Sequence, residues 1–248
     1  MIDDFEDKFN PRTFGFQNRT SDILDDDIKP KMLADRFAYP ASAVARLNSP
    51  EASGTGFFIS PNHILTAAHV LNEDSMAGSW SAGPAYHFGY DNGKYEGASL
   101  RVHPSYLESQ NYQYDIAILR VSKPYDQVLH LTKWEAEIYS KAKFELFGYS
   151  WVYPEFLIFY AGMIIAQHGN LASHNANSYR SQSGSPIIHY DGHLNRVLGM
   201  HVGGRRYAVT HLGESHNKCL LFTDEIIEWI EQTKLELSGF IEGDDNVV

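Results

Sequence analysis

Three short motifs in this 248-residue chain carry residue types suited to acyl transfer. In Asn177-Ser178-Tyr179-Arg180-Ser181-Gln182-Ser183-Gly184-Ser185-Pro186, Ser183 precedes a glycine and then the apolar run Pro186–Ile188. A nucleophilic serine needs a tight bend of this kind, which exposes its hydroxyl and aims backbone N–H groups at one point as an oxyanion hole. An ordinary Ser-rich loop would have the same composition. In the second motif, apolar runs at Gly56–Ser60 and His63–Thr66 flank a Pro61-Asn62 turn, and small Ala67 and Ala68 let the chain bend and present His69. A single histidine at a strand end is more often structural than catalytic. In the third, Tyr114-Asp115-Ile116-Ala117-Ile118-Leu119, a carboxylate opens an apolar strand. Burying it is costly unless it is hydrogen-bonded, and an imidazole N–H is a natural donor. The alternative is an Asp capping a turn after the polar stretch Glu108–Gln113.

Each motif alone is weak, but their order, His69, then Asp115, then Ser183, is one of the known triad orders and differs from the subtilisin and α/β-hydrolase orders.

The elements that must position these residues read as strands. From about Ala43 to Phe222 the chain consists of short β-rich apolar runs separated by turn residues, among them Ala43–Leu47, Ile116–Val121, Lys143–Phe147, Phe156–Tyr160, Pro186–His189 and Val197–Val202. No segment there has the length and periodicity of a helix. Near the end, Thr223 suits an N-cap, Asp224 and Glu225 suit a first turn, and Ile226, Ile227, Trp229 and Ile230 give an apolar side to a helix over 224–236. Residues 1–34 are polar and acidic, without sustained periodicity, and read as an extension, loosely ordered or packed on the body. Residues 237–248 read as a short acidic tail.

Composition narrows the function classes. One cysteine, Cys219, excludes an internal disulfide framework and any Cys-rich zinc site. A net charge of −11 argues against a nucleic-acid surface or polybasic membrane anchor, so a protein or peptide partner is expected, with no nucleic acid and no membrane. The acidic N-terminus does not read as a secretory leader, and the longest apolar run, Phe156 to Ala166, is far short of the roughly 20 residues that span a bilayer. A chain of this length buries roughly 70–75% of its unfolded surface without covalent staples. The remaining histidines, including His211 and His216, lack metal-ligand spacing of the His-Glu-x-x-His kind, so neither a metal nor another cofactor is expected.

From about Asp35 to Gln232 the sequence resembles the chymotrypsin-like (trypsin-like) serine peptidases, and most of all their glutamyl endopeptidase branch. The resemblance is carried by Asp35-Arg36, Tyr39-Pro40, Thr66-Ala67-Ala68-His69, Val102-His103-Pro104, Tyr114-Asp115, Phe147-Gly148-Tyr149, Gln182-Ser183-Gly184-Ser185-Pro186 and Gly199-Met200-His201-Val202-Gly203-Gly204. It implies an all-β fold of two six-stranded antiparallel barrels, at about 35–122 and 130–222, with a C-terminal α-helix. It also implies a monomer, and places residues 1–34 where such enzymes carry a propeptide. The resemblance makes His69, Asp115 and Ser183 the catalytic triad and the backbone N–H groups of Ser181 and Ser183 the oxyanion hole, although the family has glycine where this chain has Ser181. It places Ser178, His201, Gly203 and Gly204 at the primary substrate pocket. Ser178 and His201 can donate to an acidic side chain, and Arg180, Arg205 and Arg206 could add positive potential. A serine endopeptidase preferring Glu or Asp is the leading expectation. A catalytically silent peptidase fold acting as a binding module is the rival, and an esterase using the same triad is a third reading.

Overall fold

The computed structural model of the protein describes residues 31–32, 38–48, 53–71, 81–84, 95–153, 156–204 and 216–239. Most of the N-terminal extension, the final residues 240–248, Arg205, Arg206 and His211 lie outside them. Two antiparallel β-systems account for the strands. The first joins β2 (Val44–Asn48), β3 (Ser53–Ser60), β4 (His63–Thr66), β5 (Ser81–Pro84), β6 (Tyr95–Val102) and β7 (Ala117–Val121) into a closed barrel of order β2-β3-β4-β7-β6-β5. The Pro61-Asn62 turn links β3 and β4, which pair from Gly56↔Thr66 to Ser60↔His63. All four residues of β4 are buried, so its adjacent Ile64 and Leu65 put apolar side chains on both faces of the strand.

The second system contains β8 (Lys143–Tyr149), β9 (Leu157–His168), β10 (Leu171–His174), β11 (Pro186–Tyr190), β12 (Asn195–Gly203) and β13 (Asn217–Leu221), with β8 pairing back to β9 so that the run of six joins its own ends. A seventh strand, β1 (Lys31–Met32), departs from the expected six. Its cause is a length mismatch. β10 pairs β9 only from Ile164 to His168, which leaves the first half of β9 with an open edge, and Lys31 and Met32 take it opposite Phe159 and Ile158.

The strands Ser81–Pro84, Tyr95–Val102, Leu171–His174 and Asn217–Leu221 carry no strong sequence signal. The last two are buried at every position, polar residues included, so no alternation marks them. Among the described residues the middle of the chain also holds two α-helices, α1 (Pro104–Ser109) and α2 (Ala136–Tyr139), too short to show a period.

The last helix, α3 (Asp224–Gly239), buries Ile226, Ile230, Thr233 and Leu237 along one stripe. The Ile227 N–H donates to the Thr223 carbonyl, while the Thr223 hydroxyl bonds Asn170 instead of the helix end. Glu225 accepts from the Tyr114 hydroxyl at 2.8 Å and from Asn170 Nδ2 at 3.2 Å, and Trp229 packs on the His103 ring, which itself stacks on Tyr114. The helix therefore holds the loop before β7 and the β9–β10 turn together.

Two buried histidines lie inside this fold. His63 is pushed down to about 4 by burial and then by the charges of Lys234 and Arg120, and His174 to about 3 by burial and then by Lys218. Both stay neutral when folded but protonate near 6.5 when unfolded, so their stabilisation is complete above about pH 6.5 and is lost as pH falls toward the folded values. Between pH 7 and pH 5 each histidine costs the protein on the order of 2 kcal/mol. Urea unfolding at the two pH values should show this loss, and His63→Gln should reduce it.

Candidate active site

β4 ends at Thr66, Ala67 continues extended, and one 3-10 turn, Ala68–Val70, presents His69. Ala67 and Ala68 are buried, so larger side chains there would displace the turn. Asp115 follows another 3-10 turn, Tyr112–Tyr114, whose start is capped by Asn111 Oδ1 accepting from the Gln113 N–H at 3.1 Å. The Asp115 carboxylate is fully buried. Its Oδ1 accepts the His69 backbone N–H at 2.9 Å and its Oδ2 contacts His69 Nδ1 at 2.7 Å. An ionised carboxylate only accepts, so Nδ1 carries the proton and Nε2 is the basic nitrogen.

The Ser183 loop comes from the second β-system and docks on the first. The Ser183 carbonyl accepts the Thr55 N–H at 2.9 Å, and the Gly184 N–H donates to the His201 carbonyl at 2.8 Å. Gly184 has φ 88°, and a Cβ there would overlap the Thr55 carbonyl oxygen. Thr66 Oγ1 donates to that same oxygen at 2.8 Å. The bend carrying Ser183 therefore rests on the strand pair that leads, three residues later, to His69.

Ser181 stands in the left-handed region at φ 75°. Holding a non-glycine residue there costs roughly 1–3 kcal/mol. Contacts from β3 hold it. Ser181 Oγ meets Ser53 Oγ at 2.9 Å, and the Ser181 carbonyl accepts from Thr55 Oγ1 at 3.0 Å. Buried Gln182 braces the loop from below, donating to the Gly148 carbonyl at 3.2 Å and accepting the Tyr179 N–H at 2.7 Å. Ser53, Thr55 and Gln182 escape a motif reading for different reasons. Ser53 lies 128 residues from Ser181 and has no local signal, whereas Gln182 sits inside the motif and its buried amide has to be satisfied.

Ser178 and His201 are fully buried, and Gly203, which ends β12, and Gly204 just beyond it are buried as well. His201 Nδ1 lies 3.1 Å from Nε2 of His174, which sequence reasoning did not select. Arg180 is exposed with its guanidinium over the Trp151 ring, 5.8 Å from the centroid. Cys219 is buried in the core, where burial pushes its thiol up. No cluster of three His, Cys, Asp or Glu suited to a metal occurs among the described residues.

The family model of the trypsin-like peptidase domain matches residues 54–200, more than half of the chain and all of the stretch holding His69, Asp115 and Ser183. The chain belongs to the trypsin-like peptidase family. A solved structure of a Glu endopeptidase in complex with MPD is similar to this trypsin-like peptidase, with a TM-score of 0.70 and 20% sequence identity over 83% of this chain and 96% of that one. At that identity the likeness is one of fold, and it covers both β-systems. Comparison with curated proteins finds none that matches.

Substitutions at two positions test how this trypsin-like peptidase holds its loop. Gly184→Ala forces a Cβ against backbone at positive φ and should cost about 3 kcal/mol or more in urea unfolding. Ser181→Val should lose about 1–3 kcal/mol, while Ser181→Gly should stay within about 1 kcal/mol of the parent, because relieved strain offsets the lost Ser53 contact and the added chain entropy.

Proposed function

We propose that the protein is a serine endopeptidase in which Ser183 is the nucleophile, His69 the general base and acid, and Asp115 the group that orients the imidazole. The observation that carries this is the double contact of buried Asp115 with His69, beside a glycine-bent Ser183 loop seated on Thr55. Ser183 Oγ would attack the substrate carbonyl carbon as His69 Nε2 takes its proton. The Ser181 and Ser183 N–H groups would hold the oxyanion. On collapse the C–N bond breaks, His69 returns the proton to the leaving amine, and water then hydrolyses the acyl-enzyme by the same steps in reverse roles. Asp115 stays ionised throughout and stabilises the imidazolium.

The same reading gives the enzyme a preference for Glu or Asp before the scissile bond, through Ser178 and His201. It is supported by buried donors at those two positions and by the fold shared with a Glu endopeptidase. The strained Ser181 favours a second reading, a peptidase fold that binds without cleaving.

A fluorophosphonate probe separates these readings. Wild type should be labelled and Ser183→Ala should not; an unlabelled wild type would leave only the binding module. Asp115→Asn should keep the fold but lower kcat by about 10³–10⁴, since the amide favours the wrong tautomer. Among peptides differing before the scissile bond, cleavage should be fastest after Glu, and equal rates after Glu and Ala would end the acidic-pocket idea.

A further inference from the structure

A cavity of about 370 Å³ lies where the β3–β4 turn, β7 and α3 meet, and none of the triad residues lines it. Strand register brings two of its lining residues together: His63 on β4 stands directly opposite Arg120 on β7, and opposite residues of an antiparallel pair share a face. Lys234 and Glu231 come to the same cavity from α3, one helical turn apart. Two cations against one carboxylate leave this place net positive on a chain whose net charge is −11. The volume is that of a site for a small ligand.

Three donors here are unmet. His63 is 4% exposed and its Nδ1 lies 2.7 Å from Ser60 Oγ, but its Nε2 is buried without a hydrogen-bond partner among the described residues. Such an orphaned atom signals a missing partner. With the Ser60 hydroxyl donating to Nδ1, Nε2 carries the proton and is a donor. The Arg120 guanidinium makes no ion pair or hydrogen bond among the described residues. Lys234 bonds both Glu231 oxygens, at 2.9 and 2.8 Å, and still has an N–H to spare.

We propose that this cavity binds a small tetrahedral oxyanion, a phosphate or sulfate group free or carried on a small molecule, through Arg120, Lys234 and His63 Nε2. Donors from β7, α3 and β4 converge on it from three elements, which suits an anion with oxygens on every side better than a flat carboxylate. The ligand would join the hairpin and β7 to α3, and because it needs all three in place it binds the folded chain and stabilises it. It also acts on the charge of His63. Arg120 faces the imidazole from β7, Lys234 and its partner Glu231 from α3, and Ser60 from β3. Burial first, and then the charges of Lys234 and Arg120, hold His63 down to about 4. An anion between those cations offsets their repulsion, so His63 takes up a proton as the anion binds, and binding tightens as pH falls.

The test measures sulfate binding to the full chain by calorimetry, at an ionic strength held constant with chloride. Sulfate keeps its double charge across the range, so a pH dependence belongs to the protein. Wild type should bind sulfate saturably, and sulfate should raise its urea midpoint. Arg120→Met and Lys234→Met, each checked for folding by circular dichroism, should weaken binding roughly tenfold or more. Between about pH 7.5 and about pH 5.5 wild type should tighten roughly threefold or more, and His63→Gln should lose that tightening. No saturable binding in wild type overturns the site, as does affinity within about twofold of wild type in the folded cation variants. Should Arg120→Met not fold, Lys234→Met on the surface of α3 decides alone. A tightening that persists in His63→Gln overturns the part given to His63. None of these readouts depends on Ser183, so the result stands apart from the peptidase reading.

Discussion

Thr55 is the point where the two β-systems are joined at the site. Its N–H donates to the Ser183 carbonyl, its hydroxyl donates to the Ser181 carbonyl and accepts the Tyr149 N–H, and its own carbonyl accepts the Thr66 hydroxyl beneath Gly184. Thr55 is fully buried, so each of these groups must be satisfied within the protein. One residue of the first barrel thus sets the height of the Ser183 loop and the position of the strand that leads to His69. The left-handed Ser181 and Gly184 are tolerable because this threonine and Ser53 hold the chain where it lies.

Buried charge is arranged in two separate places. Asp115 is compensated by two N–H groups of one residue, a local solution that also selects the tautomer of His69. Lys218 sits in the other system, under the end of β12, with a carbonyl as a partner. The hydrophobic cluster that fills the first barrel continues through Tyr149, Leu171, Val202 and Leu220 of the second and on to α3, so the seam between the systems is itself core. The interior of the second system forms a separate cluster around Leu146, Ile158, Ala172 and Leu221.

Much of this was legible in the sequence where the signal is local. The hairpin at Pro61-Asn62 shows because its strands are apolar and its turn residues are not. The stripe of α3 shows because Ile226 and Ile230 repeat at helical spacing. The Ser183-Gly184 bend is legible because only glycine adopts its backbone cheaply at such a close contact. What was illegible depends on pairing across long separations. Ser53 meets Ser181, His174 meets His201, and Lys31–Met32 finds the open edge of β9, and none of these partners is announced by its neighbours in the chain. Lys218 was hidden for a related reason, because a lysine in Asn217-Lys218-Cys219 looks like a surface residue until the strand is seen to be buried at every position.

The bridge made by Glu225 has a consequence for the order of synthesis. It ties Tyr114, next to Asp115, to Asn170 in the other β-system, and it belongs to α3, which follows both β-systems in the sequence. A ribosome emits the residues of both β-systems before that helix, so the nascent chain can form strands and hairpins without yet having the clasp that spans them. The two halves are locked across this side only once α3 has emerged and docked, so the completed site waits on residues made after both β-systems.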